Sequence, residues 1–269
     1  MITNHEFLYS FIRIMGSLHK GDGLTVLTYH SIDESGSKIS ITPSEFARQM
    51  QFLKEHRYEV LSLSQLSPLL RTPAPFPRNA VVLTFDDGYQ NTYRHAFPIL
   101  QEYGFPATVF ITTHFCGQRN NWPQPGFSVP SLPMLSWKEI EEMSRYQVEI
   151  GAHTHTHPNL TELPQTELER EVLTSKRTIE ERTGNPCHLF AYPFGKLEDR
   201  VKRLVASEFI IACAGHLNRV TSRSDLHSLE RVDVGYAPHL SAFRVLVSPS
   251  FHLYLSIKRG YRKVIGKFQ

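Results

Sequence analysis

Two short stretches concentrate groups suited to acid–base and metal chemistry. "LTFDDGY" (83–89) sets two adjacent carboxylates, Asp86 and Asp87, at the end of an apolar run. "GAHTHTHP" (151–158) presents His153, His155 and His157 alternating with threonines and closed by Pro158. Consecutive side chains on extended backbone point to opposite sides, so the two aspartates cannot share one role. One can ligate a cation while the other faces a bound water, and Gly88 lets the chain turn away at once. An Asp-Asp-Gly turn with Asp87 capping the next helix would carry the same letters. An edge strand with water-facing imidazoles would likewise alternate as the histidines do. Taken together the two stretches favour chemistry: one carboxylate and two neutral imidazoles are a common set for a divalent transition metal, and catalytic zinc sites keep a further position open for water. Histidines four apart converge over one helical turn or a tight strand-to-turn bend, so His153 and His157 can meet while His155 points elsewhere. Pro158 is consistent with such a bend, because it ends any strand ladder there.

The elements that must position these groups alternate along the chain. Apolar runs at 24–30, 58–63, 80–87 and 107–113, then "VEIGAH", "HLFAYPFG", "FIIACAG" and "LERVDV", read as strands. Between most of them lie amphipathic helical stretches. One starts with Thr42 as N-cap, Pro43 at the first helical position and Glu45 closing a capping box, with Phe46, Met50 and Leu53 as its inner stripe. Others stop at Gly104 and Gly184. Apolar strands alternating with helices mean a parallel sheet covered on both faces. About seven such units in 269 residues favour an α/β fold of one domain, a distorted (β/α) barrel with a mostly parallel sheet. Chemistry in such folds collects at the C-terminal ends of the strands. Those ends carry His30, Asp86, Asp87, His153 to His157, the segment Tyr192-Pro193-Phe194 and Arg231.

Composition excludes several classes. A net charge of +3, from 29 Lys and Arg against 26 Asp and Glu, with no basic-aromatic groove motif, argues against a nucleic-acid partner. Cys116, Cys187 and Cys213 are scattered, which argues against a disulfide framework or a thiolate metal site. No secretory signal pattern and no membrane-spanning apolar run is evident, so cytoplasmic residence is the default expectation. The chain divides into an amphipathic N-terminal extension (1–23), a catalytic domain (24–238) and a basic, aromatic-rich C-terminal extension (239–269). The first carries Phe7, Leu8, Phe11, Ile12, Met15 and Leu18 at helical spacing, and the last carries Arg244, Lys258, Arg259, Arg262, Lys263 and Lys267. Both ends can pack on the domain, or they can lie on an anionic membrane surface as a peripheral contact. Oligomeric state is not legible.

The combination of "TFDDGY", "HTHTHP" and a downstream "AYPFG" resembles the polysaccharide deacetylases of carbohydrate esterase family 4, over about Leu24 to Val234. The resemblance implies Asp86 as general base and Asp87, His153 and His157 as metal ligands, with His155 the variable position. Two departures stand out. Many members have an arginine, which orients the base, where this chain has Ala191 in "FAYPFG". The usual C-terminal leucine-and-histidine motif that supplies the general acid is also not evident. The opening "VLTYH" instead resembles the permuted layout of poly-N-acetylglucosamine deacetylases of biofilm systems, which implies His30 as general acid, and Arg231 in "LERVDV" is a candidate for the displaced guanidinium.

The activity implied is metal-dependent hydrolysis of acetyl groups from an N-acetylated glycan. Zinc is the first choice of metal, and cobalt or nickel suits the same N/O donors. Asp86 takes a proton from water, the Phe194 N–H within Tyr192-Pro193-Phe194-Gly195 holds the oxyanion, and His30 protonates the departing amine. Tyr192, Phe194 and Trp122 are candidates to stack on sugar rings or to pack in the core. The rival readings are a deacylase of a small-molecule or lipid-linked sugar, and a sugar-binding relic without turnover.

Overall fold

A computed structural model describes residues 23–72, 76–77, 79–122, 129–236, 239–251 and 255. In chain order the strands are β1 (Thr25–Tyr29), β2 (Ser31–Ile32), β3 (Ser40–Ile41), β4 (Glu59–Leu61), β5 (Ala80–Phe85), β6 (Ala107–Ile111), β7 (Val148–Ala152), β8 (Leu189–Ala191), β9 (Ile211–Leu217) and β10 (Leu229–Asp233). The α-helices among the described residues are α1 (Pro43–Glu55), α2 (Leu66–Arg71), α3 (Phe97–Tyr103), α4 (Trp137–Ser144), α5 (Gln165–Thr183), α6 (Asp199–Glu208) and α7 (Leu240–Leu246).

Seven parallel strands close on themselves in the order β1-β10-β9-β8-β7-β6-β5, because β5 pairs back onto β1 from Thr25↔Val81 to Tyr29↔Phe85. The short β4 lies beside the start of β5, on the edge that β6 occupies from Thr84 onward. β2 and β3 form a separate small ribbon. The expected (β/α) barrel is therefore the fold observed.

Alternation along each strand sorts side chains into two layers. Leu27, Val81, Leu83, Phe85, Val109 and Ile111 pack outward in the core shared with Phe46, Met50 and Leu53 of α1 and Leu168 and Val172 of α5. Val26, Val82, Phe110, Ala191, Cys213 and Leu229 fill the barrel interior as a second cluster. Both faces of β1, β5 and β6 are thus covered, which is why every residue in them is buried. Carrying the interior parity one or two positions further brings Thr28 and His30 from β1, Thr84 and Asp86 from β5, His153 from β7 and Arg231 and Asp233 from β10 to one mouth.

Local signals held with two exceptions. Thr42 accepts from the Glu45 amide at 3.2 Å as an N-cap, and Phe46, Met50 and Leu53 are fully buried. The Glu45 carboxylate does not complete the capping box, because it turns to Arg48 Nη2 at 2.6 Å. The complete box is at α4, where Ser136 and Glu139 bond reciprocally. Pro158 does not end β7, whose ladder has already stopped at Ala152.

The chain beyond residue 239 begins on the barrel. Ala242, Phe243, Leu246, Val247, Phe251 and Leu255 belong to the outer core, and Thr25 Oγ1 donates to the Leu246 carbonyl at 2.9 Å. Arg244 lies over the Phe52 ring at 5.0 Å. The N-terminal stripe Phe7 to Leu18 and the basic residues Lys258, Arg259, Arg262, Lys263 and Lys267 lie outside the described residues. Among those described, no helix is long and apolar enough to cross a membrane.

Candidate active site

Asp86 follows the last residue of β5, its amide bonded to the Tyr29 carbonyl at 2.9 Å. Arg231 grips it with two prongs: Nη1 donates to Oδ1 and Nη2 to Oδ2, both at 2.7 Å. The pair is buried, at 4% and 7% exposure. The same guanidinium bonds Thr84 Oγ1 at 3.3 Å and sits over the Phe110 ring. Register between β9 and β10 slips at this point, from Leu229↔Cys213 to Arg231↔Leu217, a bulge of the kind that re-aims side chains beside active sites. Burial alone would raise the Asp86 carboxyl, but Arg231, then His153, outweigh it and hold it below the usual carboxylate range. The group is an oriented, ionised carboxylate.

Asp87 has φ +71 and Gly88 φ +85, so the chain swings away at once and Asp87 faces the histidines. Its Oδ1 lies 3.3 Å from His153 Nε2 and 3.2 Å from His157 Nε2, and those nitrogens are 3.2 Å apart. Donors about 2.0–2.2 Å from one tetrahedral ion stand roughly 3.3 Å from one another, so this triangle fits a divalent metal. It is the sole cluster of three His, Cys, Asp or Glu ligand atoms among the described residues. His153 Nδ1 donates to the Ala191 carbonyl at 2.7 Å, which leaves the Nε2 lone pair for a metal. His157 is held by packing instead, its ring between Trp122 and Phe194 and its Nδ1 buried without a hydrogen-bond partner. Burial lowers the His157 pKa, and the His153 and His157 rings beside Asp87 hold its carboxyl well below the ordinary range against its own burial.

The histidine segment is a bend, not a helix. Thr154 and His157 have φ of +69 and +63, and Thr154 Oγ1 accepts the His157 amide at 3.0 Å. Glu171 of α5 clamps the middle of the bend by accepting the amides of His155 and Thr156 and the Thr156 hydroxyl. His155 points away and its Nδ1 bonds Thr113 Oγ1 at 2.9 Å. Four of the six positive-φ non-glycine residues described, Asp87, Thr154, His157 and Phe194, surround this site. Each such conformation costs on the order of 1–3 kcal/mol, so the strain is concentrated where geometry matters.

His30 stands on the same mouth, with Nδ1 3.9 Å from Asp233 Oδ2. Burial would lower its pKa, but Asp233, then Asp87 and Asp86, overcome that and raise it. Asp233 was not singled out in the sequence, although it lies two residues beyond Arg231 on the same strand face. The mouth is a cavity of about 690 Å³ lined by His30, Asp86, Asp87, His153, His157 and Arg231, with Phe194 and Gly195 on its wall. Gly195 is required there: a Cβ would come within 2.2 Å of the Gly215 Cα. Pro193 is buried beside Phe194 and Gly195. Tyr192 is fully buried and donates its hydroxyl to the His227 carbonyl at 2.9 Å, so its ring is core, not a sugar platform. Trp122 likewise packs under His157 with Phe115 and Tyr89. A recess of about 760 Å³ at the other end of the barrel, along Glu59–Leu61 and Val148–Ile150, brings no comparable cluster together.

Comparison with known proteins identifies the family. The sequence pattern of the polysaccharide deacetylase family matches residues 74–209, half of the chain. YxkH of Bacillus subtilis, described under the same family name, is 26% identical over 221 residues, 82% of this chain and 74% of its own length. The poly-beta-1,6-N-acetyl-D-glucosamine N-deacetylase of Staphylococcus aureus is 29% identical over 180 residues, 64% of this chain and 59% of its own, so this chain spans under two thirds of that enzyme. IcaB from Ammonifex degensii superimposes with a TM-score of 0.69 at 25% identity, over 83% of this chain and 97% of that one. The deacetylase PplD of Streptococcus pyogenes shares the fold at a TM-score of 0.73 and 23% identity, over 85% and 99%. The chain belongs to the polysaccharide deacetylase family, a family of hydrolases.

Proposed function

We propose that this chain hydrolyses the N-acetyl groups of an N-acetylglucosamine-type glycan. The observation that carries the reading is the two-pronged Arg231–Asp86 pair set beside the Asp87–His153–His157 triangle on one barrel mouth. Asp87 Oδ1, His153 Nε2 and His157 Nε2 would hold a divalent ion, with zinc our assignment among the metals that such donors suit. When bound, that ion supplies Lewis acidity, acidifying a water and polarising the acetyl oxygen.

The chain's own residues do the rest. Asp86, kept ionised and aimed by Arg231, accepts the proton of the attacking water. The Phe194 N–H, on the wall formed with Pro193 and Gly195, donates to the acetyl oxygen as negative charge develops there. His30 delivers a proton to the amide nitrogen as the C–N bond breaks, because an amine leaves poorly without one. Acetate and a free amino sugar result. Asp233 keeps His30 protonated for that step.

The test is a substrate panel. Zinc-loaded protein is incubated with N-acetylglucosamine oligomers of increasing length and with small N-acetylated and O-acetylated compounds, and new primary amine and acetate are quantified together. The expected result is equal release of both from the glycan oligomers. Release confined to small compounds would overturn the glycan assignment in favour of a small-molecule deacylase.

A further inference from the structure

Thr84 belongs to the motif that supplies Asp86 and Asp87, yet the chemistry above leaves its hydroxyl unused. The side chain is fully buried, two residues before Asp86 and on the same face of β5. Its hydroxyl donates to the Leu27 carbonyl of β1 at 2.8 Å, lies 3.4 Å from Thr28 Oγ1, and accepts from Arg231 Nη1 at 3.3 Å. The chemistry of the groups fixes the direction of these bonds. A guanidinium has no acceptor and a carbonyl has no donor, so the single hydroxyl proton goes to Leu27 and a lone pair faces Arg231.

The result is a linkage across three neighbouring strands. β1 lies between β5 and β10 in the closed sheet, and Thr84 ties the β1 main chain to the β10 arginine. Arg231 Nη1 carries two protons, of which one meets Asp86 Oδ1 at 2.7 Å and the other meets Thr84. Nε donates to the Ala214 carbonyl of β9 at 3.5 Å, and the guanidinium lies over the Phe110 ring. The two bonds to Asp86 lock fork to carboxylate, but such a planar pair can still rock as one unit. Thr84 and Ala214 anchor that unit to the main chain of two different strands, and the Thr84 bond is the shorter. Without the hydroxyl, one Nη1 proton is left buried and unpaired, and the plane of the pair is released.

We propose that Thr84 is a positioning residue that holds the Arg231 guanidinium in its plane and, through it, aims the Asp86 carboxylate. The inference rests on the reading of Asp86 as the base of the deacetylation. The substitution Thr84→Val tests it, because it removes the hydroxyl and keeps the shape. On an N-acetylglucosamine oligomer, kcat is expected to fall about 10-fold, a part of the roughly 10²–10⁴ that a positioned base supplies. KM and zinc content are expected to stay close to the wild-type values. Thr84→Ser, which restores the oxygen without the methyl group, is expected to recover most of kcat. Should Thr84→Val not fold, Thr84→Ala removes the same oxygen and is expected to show the same loss, again repaired in Thr84→Ser. A folded Thr84→Val with wild-type kcat, or a loss that Thr84→Ser does not repair, would overturn the inference alone. A zinc-loaded wild type without activity on the oligomers, or an Asp86→Asn variant as active as wild type, would instead overturn the reading on which it rests.

Discussion

Arg231 and Asp86 stand 145 residues apart in sequence and meet side by side across the barrel mouth, guanidinium to carboxylate, through two bonds of 2.7 Å. β1 lies between their strands in the closed sheet, so neither neighbouring sequence nor a shared strand pairing brings them together. Removing Arg231 strands a buried charge. Arg231→Ala is expected to cost about 3–5 kcal/mol of stability and to move the acidic limb of the pH–rate profile upward, since Asp86 then keeps its burial without its counter-ion. Arg231→Lys retains charge but not the fork, and is expected to recover stability more fully than activity. Chemical denaturation and a pH profile on the same preparations check both; an unmoved acidic limb in Arg231→Ala would show that the pair does not set the base.

The three histidines are separable. His153→Ala and His157→Ala each remove a donor of the triangle, and zinc affinity is expected to fall at least about 10²-fold, beyond what an outer partner contributes. His155→Ala removes a ring bonded to Thr113 and is expected to leave the metal in place. Metal content after dialysis, measured for all three, decides the matter. Loss of metal in His155→Ala with retention in His157→Ala would reverse the assignment.

The pH dependence has a defined sign. His30 acts protonated, and its pKa is raised by Asp233, Asp87 and Asp86 against its burial. Activity therefore falls as pH rises through that raised value. Asp233→Asn withdraws the largest of these raising influences, so the descending limb of kcat/KM is expected to move to lower pH. The ascending limb, which requires ionised Asp86, is expected to hold. A descending limb indifferent to Asp233→Asn would remove the proton donor from His30.

Leaving-group ability offers an independent check on His30. An amine needs a proton to depart, whereas an activated phenolate does not. His30→Ala is expected to lose about 10²–10⁴-fold on an N-acetyl substrate while hydrolysing an activated acetyl ester at close to the wild-type rate. Equal losses on both substrates would contradict the acid role.

Much of this was legible in the letters because it followed from period-two alternation. Val26, Thr28 and His30 share a face, as do Val82, Thr84 and Asp86, so apolar runs ending in polar residues point to a barrel mouth. The Thr154 hydroxyl under the His157 amide explains the spacing of the outer histidines, which the sequence presents only as a pattern. Other features were not legible for physical reasons. Asp233 acts across the mouth on a residue 203 positions away, and only the closure of β10 onto β1 sets the two side by side. Tyr192 sits beside the motif residues in the sequence, but its hydroxyl reaches the His227 carbonyl, 35 positions on, which fixes the ring in the core. The incomplete capping box at Glu45 reflects competition from Arg48, one turn along the same helix. His30 and Arg231 both lie outside residues 74–209, the stretch that matches the family's pattern.

In the proposed reaction Asp86 is a base working beside a metal held by its neighbour Asp87. Acetate release and metal content, measured side by side on wild type and Asp86→Asn, test it most directly. Both proteins are expected to retain one equivalent of zinc, and acetate release from an N-acetylglucosamine oligomer is expected to drop at least about 10²-fold in the variant. Undiminished release by Asp86→Asn, or loss of the metal together with activity, would contradict the division of labour between the two aspartates.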